Sequence, residues 1–388
     1  MTLEAIVILK KPRGTKKIRA DDKMKQARKN NNNYIKLCEK EPVGEKHRGL
    51  PIMAEIVIFP GLYGDMMHSV KKTAYLFTVL ATFALAPHPA GAESFPDGKP
   101  VEMTVMFGAG SAADVTARHL ADGMSKALKT PVPVVNRTGG GGAVGYTFVS
   151  QQKPDGHAIV WNSNSISTTH HGGNLPFDYT NFEPVARVSI ELPVLAVRAD
   201  SQFKTLKDFI DYAKANPGKL RIGNSGANSH THFTAAALMA TAGAKAVDVP
   251  FNGGEANVNL LGNRIEAIVQ LPAAVVGHVK SGDLRVIACL GTKRDALFPD
   301  VPTAQEQGVN IGLDLWRGIA APKGTPKEAI ASLQEAIKTT VASPEFAEAG
   351  KNVGFSPAYL PADEFGKLIA ADDTKLASVM TELGLKKK

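Results

Sequence analysis

The chain has 388 residues, with 45 Lys plus Arg against 37 Asp plus Glu, a formal charge of +8. All of that excess lies in residues 1–92, which hold 16 basic and 8 acidic side chains, whereas residues 93–388 hold 29 of each. A neutral body argues against a polyanion-binding domain, and 44% apolar with 21% charged residues excludes a disordered or fibrous chain.

Residues 1–65 are rich in Lys and Asn, including KQARKNNNNYIK, and contain Cys38. They are expected to be an upstream extension created by a start placed too early, with Met66 or Met67 the initiator. A basic cytoplasmic extension with an internal signal-anchor is the alternative. Residues 66–92 read as a signal peptide: Lys71 and Lys72 precede the apolar run Thr73–Ala86, and Ala90-Gly91-Ala92 fits cleavage before Glu93. That run rises ~21 Å as a helix, short of a ~30 Å hydrocarbon core. The expected destination is the periplasm.

From Glu93 onward, β-rich runs alternate with helical periodicity. VEMTVMF (101–107) predicts a strand that passes through Gly108 and Gly110 into a helix carrying Ala117, Leu120, Met124 and Leu128. VPVV (132–135), a glycine run, a helix over 143–152 and the strand HAIVW complete a βαβαβ pattern, which argues for a parallel sheet. A second unit starts near Leu195–Val197. Its first helix carries Leu206, Phe209, Ile210 and Ala213 and stops at Asn216-Pro217-Gly218. KLRIGNS, AVDVPF, RIEAIV and LRVIACL continue the alternation. Cys289 in the last of these is expected to be a buried reduced thiol. LWRGIAAPKGTP (315–326) reads as a return strand and turn, followed by a helix with Ile330, Leu333, Ile337 and Val341 on one face and a final helix over 362–383. The fold class is therefore α/β in two lobes with a cleft between them. Residues 93–197 form the first part of lobe 1, 198–314 form lobe 2, and 315–388 complete lobe 1 and add the C-terminal helices.

Three loops are candidate binding elements. FGAGSAAD (107–114) and NRTGGGGAVG (136–145) each place glycines between a strand and a helix start, where free N–H groups favour an anion. Neither has the spacing of a dinucleotide fingerprint or a P-loop. In GNSGANSHTHF (223–233), Ser225, Asn228 and Ser229 precede a helix and can cap it or grip a carboxylate. His230 and His232 lie two apart and His170-His171 are adjacent, neither a metal-ligand spacing, and His232 is expected to pack or hydrogen-bond within its helix. No G-x-S-x-G elbow is present, and Ser225 comes nearest to one. No catalytic residue, metal or cofactor is predicted. A secreted, neutral, two-lobed chain with anion-friendly helix starts points to a solute-binding protein whose ligand sits outside the carboxyl ends of the strands.

Eight ordered segments carry a more specific likeness, among them VMFGAGSAADVTARHLADGMSKAL, VVNRTGGGGAVG, KPDGHAIVW, AKANPGKLRIGNSGANSHTHF, VPFNGGEANVNLLGNRIEAIV and WRGIAAPKGTP. From about Phe95 to the C-terminus the chain resembles the substrate receptors of tripartite tricarboxylate transporters, the TctC-like or Bug family. The resemblance implies a type II periplasmic-binding-protein fold that closes on a small carboxylated solute and hands it to integral-membrane permease subunits. It also implies a first binding loop at Phe107, Ala109, Gly110, Ser111, Ala112 and Asp114, with backbone N–H groups and bridging waters holding a carboxylate. Ser225, Asn228 and Ser229 would bind from the second lobe. Phe251, Asn252 and Gly253 stand where the family often has Tyr-Lys-Gly, and Asn162 and Ser163 end the HAIVW strand at the same cleft. The chain departs from the family pattern in three places. Ala112 and Ala113 stand where hydroxyls are usual, Asn252 replaces a common lysine, and Asn228 replaces a common glycine. Fewer donors imply a monocarboxylate, dicarboxylate or aromatic acid rather than citrate.

The expected protein is thus a monomeric receptor that is not an enzyme and does not bind nucleic acid. An enzyme acting on a carboxylic acid in the same cleft is one alternative. A nucleic-acid or membrane-surface binder acting through residues 1–65 is another.

Overall fold

The computed structural model describes residues 95–387 apart from Gly253. The expected upstream extension, the signal peptide with its cleavage after Ala92, and Cys38 lie outside the described residues.

The first α/β unit forms as the pattern requires. β1 (Glu102–Val105) leads into α1 (Ala112–Leu128), where the Ser111 hydroxyl accepts from the Asp114 N–H and satisfies one of the orphan donors of the first turn. Ala113, Ala117, Leu120, Ala121 and Met124 turn one face of α1 onto the sheet, and Lys129 ends the helix in the left-handed region. β2 (Val134–Asn136) starts later than VPVV, because Pro133 has no N–H to donate; its carbonyl accepts from the Met103 N–H at 2.9 Å. α2 (Ala143–Ser150), β3 (Ala158–Ser163), α3 (Ser165–His171) and β4 (Phe182–Glu191) follow. The second unit comprises β5 (Val194–Arg198), α4 (Leu206–Ala215), β6 (Arg221–Asn224), α5 (His230–Thr241), β7 (Val247–Pro250), α6 (Glu255–Leu261), β8 (Ala267–Gln270), α7 (Pro272–Lys280) and β9 (Leu284–Cys289). The chain then returns through β10 (Leu315–Pro322), α8 (Lys327–Val341), α9 (Pro344–Val353), β11 (Ser356–Pro361) and α10 (Ala362–Glu382).

These strands make two sheets. The six-stranded sheet has the order β11-β4-β10-β3-β1-β2, and the five-stranded sheet has β7-β6-β8-β5-β9. β1 pairs in parallel with both β2 and β3, as the βαβαβ pattern implies. β10 runs antiparallel between β3 and β4, so the first sheet is mixed rather than parallel throughout. β5 is antiparallel to both β8 and β9 in the second sheet. The chain crosses between the sheets at residues 192–193, so the expected boundary at 197/198 falls inside β5. The return crossing ends at Leu315, which pairs in register with Glu191. Two strands therefore connect the lobes side by side.

One core fills the first lobe, with Met103, Leu120, Trp161, Ile319 and Phe365 among its sealed side chains. The second sheet carries a core on each face, one around Phe209, Leu238 and Val269, the other around Leu260, Ile268 and Val286. Near its C-terminal end α10 places Leu376 and Met380 against Phe233 of α5, so this helix packs on both lobes.

Candidate functional site

A small cleft opens where several strands end. The first lobe lines it with Phe107, Ser111, Ala112, Ala113 and Ser165, the residues that follow β1 and β3. The second lobe contributes Ser225, Ser229, His230 and Thr231 from beyond β6, with Gln270 and Leu271 at the end of β8, and β10 adds Leu315 and Arg317. Carboxyl ends of strands are where ligands of open α/β sheets bind.

Two helices begin at this cleft, one from each lobe. Ser111 caps α1 of 17 residues, and Ser229 caps α5 of 12 residues by accepting from the His232 N–H at 3.3 Å. Each helix start carries partial positive charge on its unshared N–H groups. Ser225 donates its hydroxyl to Gln270 Oε1 at 3.1 Å, and Ser229 and Thr231 hydroxyls lie 3.2 Å apart. Hydroxyls thus form a connected polar wall on the second-lobe side.

Of the predicted residues, Phe107, Ser111, Ala112, Ser225 and Ser229 line the cleft together. The others hold the walls or lie apart. Asp114 accepts from Gly110 N–H at 3.1 Å, from Asn136 Nδ2 at 2.9 Å and from Arg118 through both oxygens. Burial alone would raise its pKa; the Arg118, Asn136 and Gly110 donors outweigh burial and hold it below the usual carboxylate value. Asp114 therefore braces the loop. Ala109 and Gly110 are exposed. Asn162 accepts from Tyr146 Oη at 2.9 Å and from Ser163 N–H at 2.8 Å, and Ser163 Oγ accepts from Ser165 N–H. Phe251 packs on the second-lobe core, Asn252 donates its N–H to Glu255, and Gly253 lies outside the described residues.

Asn228 and the glycine run have a different place from the one their sequences suggest. Asn228 adopts φ +65°, a conformation asparagine tolerates better than most residues and glycine adopts freely. Its carbonyl accepts from Thr168 Oγ1 at 2.8 Å and Thr169 Oγ1 at 3.3 Å, and its side-chain amide donates to Gly172 O at 2.9 Å. Asn174 reaches Ala227 O at 3.2 Å, and the His230 N–H donates to Ser165 Oγ at 3.2 Å. Gly141 lies so close to this loop that a Cβ there would sit 2.2 Å from Ala227 O. NRTGGGGAVG therefore serves as a contact between the lobes; none of its residues lines the cleft.

Ser165, His230, Thr231, Gln270 and Arg317 are the polar lining residues absent from the sequence-based set. His230 is sealed, and burial followed by the Arg317 charge brings its pKa down to about 3, so the ring is neutral. The readable signal for Arg317 was a cation inside LWRGIAAP, a strand whose eight residues are all buried. His232, the second histidine, accepts from the Asn228 N–H at 3.0 Å and lies 3.7 Å from Asp248. Among the described residues no group of three His, Cys, Asp or Glu could hold a metal ion.

Comparison with known proteins adds to this geometry. Residues 116–385 match the profile described as the tripartite tricarboxylate transporter family receptor. BugT of Bordetella pertussis is 30% identical to the chain over 328 residues, covering 83% of this chain and all 100% of that protein. The solved periplasmic binding protein BugD is 28% identical with a TM-score of 0.72, covering 75% of this chain and 99% of that one. A TctC solute-binding protein from Polaromonas is 31% identical with a TM-score of 0.56, over 74% and 99%. The two lobes and their doubly connected sheets are thus a type II periplasmic-binding-protein fold.

Proposed function

The chain belongs to the tripartite tricarboxylate transporter receptor family, and from that premise we propose that it is a monomeric extracytoplasmic receptor that closes on a small carboxylate and delivers it to membrane permease subunits. One observation carries this reading: the capped starts of α1 and α5, from opposite lobes, line a single cleft. An anion between them gains from both helix ends at once, and a ligand touching both lobes favours the closed state over the open one. Phe107, Ser111, Ala112, Ser225 and Ser229 contact the solute in this scheme. Closure turns on the paired connections that precede β5 and β10. Asn228 and its partners on α3 complete the closed arrangement.

The test is a thermal-shift screen of the chain from Glu93 onward against mono-, di-, tri- and aromatic carboxylates, followed by calorimetry on the hits. A solute at 100 times its Kd stabilises the folded state by about 2.7 kcal/mol, a plain rise in Tm. A flat response across the panel would overturn the reading. Recovery of the bound acid chemically unchanged separates a receptor from an enzyme using the same cleft.

A further inference from the structure

An ion pair is buried where the two connecting strands run side by side. Glu191 is the last residue of β4, and Arg317 lies two residues into β10. Arg317 Nε donates to Glu191 Oε1 at 3.1 Å, and the two residues are 2% and 1% exposed. The pair is not fully satisfied: Arg317 Nη1 is buried with no hydrogen-bond partner among the described residues. A pair kept for stability alone would have its remaining donors and acceptors filled, because buried unpaired polar atoms are costly. Arg317 also lines the cleft, and among the described lining residues it carries the one positive charge, since His230 is neutral.

We propose that Arg317 is the charged anchor of the solute site, its spare Nη1 donating to one oxygen of the solute carboxylate while Glu191 fixes the guanidinium as an internal counter-ion. This rests on the carboxylate-receptor function proposed above. It also narrows the solute. The Arg317–Glu191 pair is neutral as a whole, so the site gains from one carboxylate through hydrogen bonding to the guanidinium and holds no surplus cation for a second. A second or third carboxylate would meet the hydroxyls of Ser165, Ser225 and Thr231, the Gln270 amide and at most the partial charge of a helix start, with no further cationic side chain among the lining residues. The apolar walls at Phe107, Leu271 and Leu315 suit an uncharged remainder. The solute class is a compact monocarboxylate, not a tricarboxylate.

The test compares the wild type, Glu191→Gln, and the double variant Glu191→Gln/Arg317→Gln by calorimetry, each with folding checked by circular dichroism. The probes are lactate, benzoate, succinate and citrate, with lactamide and benzamide as uncharged matches. The double change removes both charges together and leaves no lone buried charge. The wild type should bind a monocarboxylate and ignore its amide, and the double variant should bind that acid at least about tenfold more weakly. Glu191→Gln, which removes the competing carboxylate, should bind the acid more tightly and still ignore the amide. Unchanged acid affinity in a folded double variant overturns the role of Arg317 and leaves the receptor function standing. If the double variant does not fold, Arg317→Lys, which keeps a cation beside Glu191 but lacks Nη1, should bind the acid more weakly, and unchanged affinity in that folded variant overturns the role instead. Preference for succinate or citrate over both monocarboxylates overturns the assigned class. No binding of any acid by folded wild type overturns the receptor function itself.

Discussion

Gly141→Ala should hold the lobes apart. The new methyl would lie 2.2 Å from Ala227 O, 2.8 Å from Ser229 N and 3.1 Å from Ala227 C, all backbone atoms that cannot swing aside. Relief requires the turn and the facing loop to separate by ~1 Å, since carbon and its neighbours settle at about 3.5 Å. The Thr168–Asn228 bond at 2.8 Å and the Asn228–Gly172 bond at 2.9 Å would then stretch past useful length. At about 0.5–1.5 kcal/mol each, their loss costs the closed arrangement about 1–3 kcal/mol. That is a roughly 5- to 150-fold fall in the closed-to-open equilibrium constant, and apparent solute affinity falls by up to the same factor. The φ of +70° adds backbone strain of ~1–2 kcal/mol against folding generally. Gly218→Ala separates the two effects, because Gly218 has φ +75° with nothing within 4 Å of its would-be Cβ. Calorimetry gives the affinity and small-angle scattering the radius of gyration. Both alanine variants should lose thermal stability, whereas weaker solute binding and an expanded particle should be confined to Gly141→Ala. Wild-type affinity in a folded Gly141→Ala protein would refute the contact's role in closure.

Ser229→Ala removes the cap of α5 and a cleft hydroxyl together. It should lower stability by about 1 kcal/mol and weaken solute binding; an unchanged Kd would remove Ser229 from the site. Asp114 has a folded-state pKa below its unfolded value near 3.9. Its contribution is therefore full above that value and lost as pH falls through the lower one. Asp114→Asn should cost about 1–3 kcal/mol at pH 7 and flatten the acid limb of a urea-melt stability profile below about pH 4; a limb parallel to the wild type's would contradict this. Burial pushes the Cys289 thiol up to about 11, so iodoacetamide at pH 8 should leave the Cys289 peptide unalkylated until urea is added. Rapid labelling of native protein, read by mass spectrometry, would show the strand is not sealed.

Local features of this fold were legible and pairwise ones were not. α1 was readable because the apolar spacing of Ala117, Leu120 and Met124 after Gly108 and Gly110 acts within one helix. β11 escaped notice because SPAYLP carries two prolines, which reads as a break yet suits the sheet edge where the strand lies. β10 was readable as a return strand, but its antiparallel place between β3 and β4 depends on partners far along the chain. The site divides in the same way. Ser229 was readable as a possible cap and does cap α5 at the cleft, whereas Ser111 was placed at the cleft by the family resemblance and the structure adds that it caps α1. Asn228 and Gly141 resembled ligand loops because a backbone built for close approach looks the same whether an anion or another loop approaches it. Arg317 was hidden in plain view, since only the crossing of the two connecting strands brings Glu191 beside it.

The central position of β10 also governs the order in which the molecule can assemble. A chain emerging from its N-terminus makes β1, β2 and β3 early, yet the strand that joins β3 to β4 is not available until residue 322. β5 to β9 form a contiguous stretch with both faces of their sheet covered largely by their own helices, and can consolidate first. The first lobe must wait with the facing edges of β3 and β4 unpaired, a non-local closure of the kind that folds slowly. A polypeptide cut short before Leu315 would thus hold open the facing edges of β3 and β4 beside the first binding loop, with its second lobe already able to close.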